Sequence, residues 1–321
     1  MKKNKGLLII AVHSGLGNQM FQYAFYKYLL SKGYNVYLDI ITYYEKMLCK
    51  KHETYRLEYF NLPDIKFVCK KDKDRFYTDF LPFFEAIKGK NIILVILITL
   101  KRICKKLGEM LGLKLINKIH WVEWNHGKIF YQTELQYNTR AYMIGCYQEY
   151  SYLENLRNQL LENFKFTIEI PGTIKKTIDV ISNEHSVAIH VRRGDYVGTE
   201  EFDVCSVLYY RNAIEHLTAL KMDLTYYIFS DDIAWVKSNF CFIEKYQIID
   251  NSGHENSDYF DLCLMSKCKH NITANSTFSW WGAWLNQNPE KIVIVPEKWN
   301  GYDFILTDKI CPPEWKRMAT Q

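Results

Sequence analysis

Short apolar segments alternate with helical patterns through the second half of the chain, and this alternation constrains the fold more than any other feature. The segments interpreted as strands cover residues 186–191, 225–229, 247–249, 271–273 and 291–295. The main helical patterns between them cover about 208–220, 257–269 and 278–287. Such alternation builds a parallel sheet flanked by helices. The sequence therefore predicts an α/β fold with a doubly wound sheet, in which ligands bind beyond the carboxyl ends of the strands.

The first half shows the same alternation mainly near its start. The predicted elements are, in order, a strand over 7–12, a turn at 14–18, a helix over about 19–31, a strand over 35–40, a helix near 92–112 and a strand over 141–145. A chain of 321 residues exceeds the usual ~100–200 residues of one domain. We therefore predict two domains, 1–170 and 171–321, with a linker near Pro171 and Gly172.

The composition argues against several classes of protein. A net charge of +5, from 41 basic and 36 acidic side chains, is too small to indicate a nucleic-acid-binding surface. The nine cysteines form no C-x-x-C pair, which is typical of free thiols in a reducing cytoplasm. None of the nine histidines has the spacing of a metal-binding pair, so we predict no metal site.

The apolar run Ile92–Leu100 is much shorter than the ~20 residues of a transmembrane helix. It continues into a basic amphipathic pattern over 101–111, which leaves two interpretations open. The segment either rests on an anionic inner membrane or packs on the core as a surface helix, and the second interpretation is favoured. We expect a cytoplasmic protein, with peripheral contact to the inner membrane as the alternative.

A glycine-rich turn follows the first predicted strand, with the sequence Gly15-Leu16-Gly17-Asn18-Gln19. Glycines at such a turn let backbone N–H groups approach a phosphate at the start of a helix. The third glycine of a dinucleotide fingerprint is replaced by Met20, which weakens a nicotinamide-binding interpretation. A contact with phosphate or sugar and a purely structural turn both stay open, and a ribose contact by Asp39 is less favoured.

The strand that ends at Val191 runs directly into a cluster of charged residues. His190 and Arg192 point to one face of this strand and Arg193 points to the other. A guanidinium can bind a diphosphate through two parallel hydrogen bonds, so we predict Arg192 as the phosphate ligand with His190 beside it. We expect Arg193 to pair with a carboxylate. The structural alternatives are a surface ion pair between Arg192 and Asp195 and a histidine buried in the core.

Two further motifs follow strands of the same sheet. Asp231 and Asp232 could bind a ligand or pair with Arg193, and both interpretations stay open. Asn275, Ser276 and Thr277 precede the last long helix, where a hydroxyl caps the helix and the free N–H groups face an anion. We predict all five residues as part of the ligand site.

Together these motifs resemble the bacterial α-1,2-fucosyltransferases, glycosyltransferase family 11. The resemblance rests on 15–19, 190–197 and 275–281, with further similar stretches at 20–28, 37–40 and 289–296. The middle, about 60–140, contributes little. Two departures stand out. Ser14 occupies a position where the family usually has glycine, and Glu200 follows the pattern of the α-1,6 enzymes, in which the matching glutamate is implicated as the base.

The resemblance implies a GT-B-like fold, in which two Rossmann-like domains face a cleft. It also implies GDP-fucose as the donor, inversion at the anomeric carbon, and no required metal or other cofactor. The N-terminal domain would hold the acceptor, a galactose-terminated glycan that is lipid-linked or on the cell surface. Arg192 would hold the diphosphate, with the Asn275–Thr277 turn and the Gly15–Gln19 turn beside the donor.

The mechanism that we expect is a single displacement. Asp195 or Glu200 would remove the proton of the galactose 2-hydroxyl, with Asp195 slightly favoured because it lies within the family motif. Arg192, His190 and the helix start at Ser276 would neutralise the departing diphosphate. The alternatives are a transferase of another linkage or donor, a nicotinamide enzyme, and a protein that binds a nucleotide sugar without turnover.

Overall fold

The computed structural model describes residues 7–41, 54–69, 99, 119–123, 140–220, 223–302 and 307–320. The chain divides into two compact units. The N-terminal unit comprises Met1–Gly15, Phe21–Tyr55 and Pro63–Tyr147. The C-terminal unit comprises Leu16–Met20, Arg56–Leu62 and Gln148–Gln321. The two units are defined by compactness alone. The division into functional domains at residue 170 therefore stays a prediction.

The N-terminal unit contains a parallel sheet in the strand order β2-β1-β4-β3. Its strands are β1 (Leu7–Ala11), β2 (Asn35–Asp39), β3 (Ile119–Glu123) and β4 (Arg140–Ile144). Strand β1 lies inside the sheet, and its residues from Leu8 to Ala11 are buried. An uninterrupted apolar sequence is what a parallel strand covered on both faces requires. Helix α1 (Leu16–Ser31) connects β1 to β2.

The C-terminal unit contains a second parallel sheet, in the order β10-β9-β8-β5-β6-β7. The strands are β5 (His185–Val191), β6 (Leu224–Ser230), β7 (Tyr246–Ile249), β8 (His270–Ile272), β9 (Val293–Pro296) and β10 (Lys316–Met318). The central strand β5 has β8 on one side and β6 on the other. The strand order reverses at this point, which is where doubly wound sheets place their ligands.

The helices of the C-terminal unit flank this sheet. They are α2 (Arg157–Asn163), α3 (Gly172–Asn183), α4 (Val207–Thr218), α5 (Ile233–Asn239), α6 (Ser257–Lys267), α7 (Thr277–Leu285) and the single turn α8 (Thr307–Ile310). Short 3-10 helices cover Leu57–Tyr59 and Glu154–Leu156. None of the helices in the described ranges is long and apolar enough to cross a membrane.

Helix α7 is the most buried helix at the site, since every residue from Ser279 to Leu285 is buried. Trp280 and Trp281 are fully buried, and the Trp280 indole N–H donates to the Ile310 carbonyl at 2.9 Å. At the other end of the helix, Lys291 Nζ donates to the Ala283 carbonyl at 2.7 Å. A cation at the C-terminus complements the helix dipole. Packing and capping therefore fix the position of α7.

The predicted α/β fold with two parallel-sheet units is confirmed. The strands predicted in the second half begin and end within two residues of β5 to β9. Two strands, β3 and β10, were not predicted. Strand β10 is only the three residues Lys316–Met318 at the sheet edge, too short and polar to show an apolar pattern. The predicted helix near 92–112 lies outside the described residues, apart from the helical Thr99.

Candidate active site

Three of the predicted motifs meet at the carboxyl edge of the C-terminal sheet. The residues after β5, the Ser230–Asp232 turn after β6 and the Asn275–Thr277 turn after β8 follow three neighbouring strands. Parallel strands end at the same edge, so their following residues are brought together. The structure therefore joins segments that lie far apart in the sequence.

Arg192 lies between two carboxylates. Its Nη2 donates to Asp195 Oδ1 at 2.7 Å, and its Nη1 pairs with Asp231 Oδ2 at 2.7 Å. A guanidinium has five N–H donors, so these two contacts leave others for a ligand. The side chain keeps 34% of its exposure. Arg192 is thus fixed in position and still open to an anion.

Arg193 is bound on the other side of the same turn. Its Nε donates to Asp232 Oδ2 at 3.1 Å, and its guanidinium lies 4.0 Å from the Trp235 ring centre. Its backbone N–H donates to Asp231 Oδ1 at 2.8 Å. The prediction that Arg193 pairs with a carboxylate is confirmed. We call Arg192, Arg193, Asp231 and Asp232 the arginine cluster.

Asp232 has a second role as the N-cap of α5. Its Oδ1 accepts from the Trp235 backbone N–H at 3.0 Å. This N–H bond lowers the pKa of Asp232, and the Arg193 guanidinium lowers it further. Both acidic residues of the turn are thus bonded within the protein.

Gly194 is required for this arrangement. A Cβ atom at this position would lie 2.5 Å from Asp231 Oδ2, well inside van der Waals contact. Any larger residue would displace the carboxylate that holds Arg192 and the Arg193 backbone. The glycine in the predicted motif therefore has a packing reason.

His190 is buried, with 6% of its surface exposed. Burial lowers the pKa of its imidazole to about 3, and the neighbouring Arg192 charge acts in the same direction. The ring is therefore neutral at physiological pH and adds no positive charge. A neutral imidazole can still donate a hydrogen bond to a phosphate oxygen, so the expected role of His190 beside the diphosphate stays a prediction. Its Nδ1 has no hydrogen-bond partner among the described residues.

Asn275 is buried, and its side chain is used inside the protein. Its Nδ2 donates to the carbonyls of Phe202 at 3.0 Å and Trp299 at 3.1 Å. Its Oδ1 accepts from the Cys205 thiol at 3.5 Å. Contact with a donor through this amide would require breaking those bonds. The side chain instead joins the loop after β5 to the loop after β9.

The first turn of α1 packs against the start of α7 within the C-terminal unit. A Cβ atom on Gly17 would lie 2.6 Å from the Thr277 backbone carbon and from its Oγ1. The Trp281 indole N–H donates to the Gly17 carbonyl at 3.0 Å. Ser276 caps α7, since its Oγ accepts from the Phe278 backbone N–H at 3.3 Å. Gly17 is therefore needed for close helix packing.

The other residues of the glycine-rich turn differ from Gly17 in their burial and hydrogen bonding. Asn18 Oδ1 accepts from Gln148 Nε2 at 2.8 Å. Gln19 is fully buried and accepts from the Arg56 backbone N–H at 2.8 Å. Gly15 is exposed and has open space around its Cα. Full burial makes Gln19 a structural residue, which corrects its prediction as a donor contact.

Asp39 and Ser14 lie in the N-terminal unit, and the structure shows the surroundings of the first and the backbone conformation of the second. Asp39 is buried and accepts from the Tyr142 hydroxyl at 2.6 Å and from the Ile41 backbone at 2.8 Å, so its role is structural. Ser14 has a φ of 66°, a left-handed conformation that glycine adopts more easily. The serine thus keeps the backbone conformation expected for glycine at this position.

Glu200 is exposed near the middle of the loop after β5. Its Oε2 accepts from the Tyr302 hydroxyl at 2.8 Å. No cation lies within ion-pairing distance of Glu200 among the described residues. The other candidate base, Asp195, is instead paired with Arg192. The two carboxylates therefore differ in their surroundings.

Two residues with unusual surroundings are not singled out by the sequence. Tyr302 follows no strand directly and has no motif around it. Asp261, in α6, has its pKa raised to about 7, mainly by burial, while a hydrogen bond from Asn251 opposes this shift. Strongly shifted carboxyl groups concentrate at functional sites. The same helix also carries Asp258, and the sequence alone does not distinguish the buried aspartate from the other.

Comparison with known proteins matches residues 7–319 to the family described as Glycosyl transferase family 11. An alpha-1,2-colitosyltransferase of Escherichia coli is 30% identical over 322 residues, covering 97% of this chain and 99% of the relative. The O-antigen biosynthesis glycosyltransferase WbnK of Escherichia coli is 29% identical, covering 89% and 92%. The galactoside 2-alpha-L-fucosyltransferase SEC1 of Bos taurus is 28% identical over 43% of this chain and 36% of its own.

The family match covers both sheets and every motif of the candidate site. It agrees with the resemblance inferred from the glycine-rich turn, the arginine motif and the turn before α7. It also argues against a nicotinamide enzyme, as the replacement of the third glycine by Met20 did. The chain belongs to glycosyl transferase family 11 and is a glycosyltransferase.

Proposed function

We propose that the protein transfers L-fucose from GDP-fucose to the 2-hydroxyl of a β-galactoside, with inversion at the anomeric carbon. The observation that carries the proposal is the position of Arg192. Asp195 and Asp231 hold it at the sheet edge, and its remaining N–H donors can bind a ligand. The named activity of the bovine relative, a galactoside 2-alpha-L-fucosyltransferase, supports the donor sugar and the linkage.

Arg192 and the start of α7 supply positive potential for the diphosphate. A fixed guanidinium stabilises the charge that develops on a leaving diphosphate without reorganising during the reaction. The N-terminus of α7 adds unpaired N–H groups and the positive end of the helix dipole. His190 contributes through hydrogen bonding rather than charge, because its imidazole is neutral.

Glu200 is the base in this proposal, in preference to Asp195. An adjacent guanidinium stabilises the charged form of a carboxylate and weakens it as a proton acceptor. Asp195 has such a partner at 2.7 Å, whereas the partner of Glu200 is the neutral Tyr302 phenol. Asp195 then serves to position Arg192.

The reaction is a single displacement at fucose C1. The galactose O2 attacks C1 as the bond from C1 to the diphosphate oxygen breaks, and that oxygen leaves with the electron pair. Glu200 takes the proton from O2, so the products are the fucoside, GDP and a protonated glutamate. No cofactor and no metal ion enter this proposal.

A second donor sugar is favoured by one observation. The relative that aligns with 97% of this chain is named an alpha-1,2-colitosyltransferase. Colitose is L-fucose without its 3-hydroxyl, so a site that bonds this hydroxyl rejects colitose, whereas an apolar site discriminates weakly. GDP-colitose is therefore the second candidate donor, with the same linkage.

The test is GDP release by the purified protein from GDP-fucose and from GDP-colitose, with lactose as the acceptor and EDTA present. Lactose-dependent release from GDP-fucose, with an α-1,2 linkage in the product, is the expected result. Release only from GDP-colitose would replace the donor. Failure to bind either nucleotide sugar would overturn the proposal.

A further inference from the structure

Two loops meet beyond the carboxyl edge of the C-terminal sheet, one after β5 and one after β9. The Gly301 backbone N–H donates to the Glu201 carbonyl at 2.8 Å. A Cβ atom on Gly301 would lie 1.9 Å from the Glu200 carbonyl oxygen, so the two backbones are in direct contact. We call residues 200–202 and 299–302, joined by Asn275, the rim.

The rim is fixed from below by buried groups. Asn275 donates to a carbonyl of each loop, and Trp299 is buried with 3% exposure. The Phe202 ring stacks on Tyr196 with their centres 5.1 Å apart. A surface carried by such supports holds its geometry better than an unsupported loop.

Tyr302 projects from this fixed surface. It is 59% exposed, the largest fraction among the exposed large hydrophobic side chains of the described ranges. Its hydroxyl donates to Glu200 Oε2 at 2.8 Å, and its backbone N–H donates to Asn300 Oδ1 at 3.1 Å. Both ends of the residue are therefore held while much of its surface faces solvent.

An exposed aromatic ring beside a carboxylate suits a sugar. One face of β-galactose presents C–H groups at C3, C4 and C5, which can stack on an aromatic ring, whereas its hydroxyls donate to carboxylate oxygens. An aromatic side chain offers this apolar area with little conformational freedom to lose. Neither property is needed for folding at so exposed a position.

We infer that Tyr302 is the platform on which the acceptor galactose stacks, and that its hydroxyl positions Glu200 toward the galactose 2-hydroxyl. This inference rests on the proposed function and identifies which surface selects the acceptor. The ring and the hydroxyl then have separate tasks, one in acceptor binding and the other in the chemical step.

Substitutions at residue 302 separate these tasks. Tyr302→Ala removes the ring and the hydroxyl, so the KM for lactose should rise about tenfold, the effect of losing a stacking contact of ordinary strength. Tyr302→Phe keeps the ring, so KM should stay within about twofold while kcat falls several-fold, because Glu200 loses its orienting partner. The KM for GDP-fucose should not change in either variant.

Tyr246→Ala is the matched control, since Tyr246 is also exposed but starts β7 at the opposite edge of the sheet. It should leave both KM values unchanged. An unchanged lactose KM in Tyr302→Ala, in an otherwise active protein, would overturn the inference alone. Absence of turnover by the unaltered protein on a panel of β-galactosides would overturn the proposed function, and the inference with it.

Discussion

The arginine cluster and the rim lie at the same edge of one sheet but are held together by different forces. In the arginine cluster, two guanidiniums and two aspartates form ion pairs at 2.7 and 3.1 Å. In the rim, a neutral amide donates to two backbone carbonyls at 3.0 and 3.1 Å. The first arrangement presents charge to solvent, and the second fixes the shape of two loops.

This difference suggests a division of labour between donor and acceptor. An anionic diphosphate needs positive potential, which the fixed Arg192 guanidinium supplies. A sugar acceptor carries no charge and is recognised by shape, stacking and hydrogen bonds. The predictions below assign a charge-dependent effect to the arginine cluster and a geometric effect to the rim, from the largest expected effect to the smallest.

Replacement of Glu200 by glutamine should have the largest effect. Loss of a general base typically lowers the rate by ~10²–10⁴. We expect this fall in kcat, with donor binding retained because Glu200 takes no part in the ion pairs of Arg192 and Arg193. Asp195→Asn is the comparison, and its loss should appear mainly in the KM for the donor. The reverse pattern would make Asp195 the base.

Arg192→Ala should lower kcat/KM by ~10²–10³, the usual cost of removing one contact to developing charge. Arg193→Ala is the control, because Arg193 is paired with Asp232 and stacked on Trp235. It should retain most of the activity and lose about 1 kcal/mol of stability. Retention of more than about a tenth of the activity in Arg192→Ala would remove Arg192 from the diphosphate site.

His190 should make the stability of the protein depend on pH. Its folded-state pKa of about 3 lies below the unfolded value of 6.5, so the unfolded state binds more protons between these pH values. Its contribution is therefore present above pH 6.5 and is lost as pH falls toward 3. Between pH 8 and pH 5, His190 should lower the free energy of unfolding by about 2 kcal/mol, as measured by denaturant titration.

The same titrations on His190→Gln supply the control, because glutamine does not titrate. The loss between pH 8 and pH 5 should be smaller in this variant by about the same 2 kcal/mol. An equal loss in both proteins would mean that His190 is not buried as described.

Asn275→Ala should destabilise the fold by about 2 kcal/mol, since one buried and one part-buried carbonyl lose their donor. Thermal unfolding measures this loss, with Asn183→Ala as the control because Asn183 is an exposed residue of α3. The KM for lactose should also rise, while the KM for the donor stays constant. A change in the KM for the donor alone would contradict the distinction between the rim and the arginine cluster.

Much of the fold could be predicted from the sequence, because β5, β6 and α4 show their periodicity locally. Strand β10 could not be predicted, because it is defined by its pairing with β9 in the folded sheet and not by a local apolar pattern. Strand β3, with the sequence Ile-His-Trp-Val-Glu, is mixed in character and lacks a neighbouring motif.

The candidate site was predicted in its location but less well in its roles. Residues that follow strands were expected to meet, and the pairing of Arg193 with a carboxylate was expected from the alternation of strand faces. The roles of Asn275 and Gln19 depend on partners 73 and 37 residues away along the chain. Local sequence patterns carry no information about such partners. Both residues are buried and hydrogen-bonded within the protein.

The bonding of Asn275 also has a consequence for how the acceptor preference can be engineered. Its amide nitrogen donates to main-chain carbonyls of both loops, so the side chains displayed by the two loops can be exchanged without loss of these bonds. A library that randomises position 302 and keeps Glu200 should therefore yield many folded proteins. Insertion or deletion of a single residue between 199 and 202 would shift the carbonyl out of reach. Acceptor preference in this protein should thus change through substitution at constant loop length.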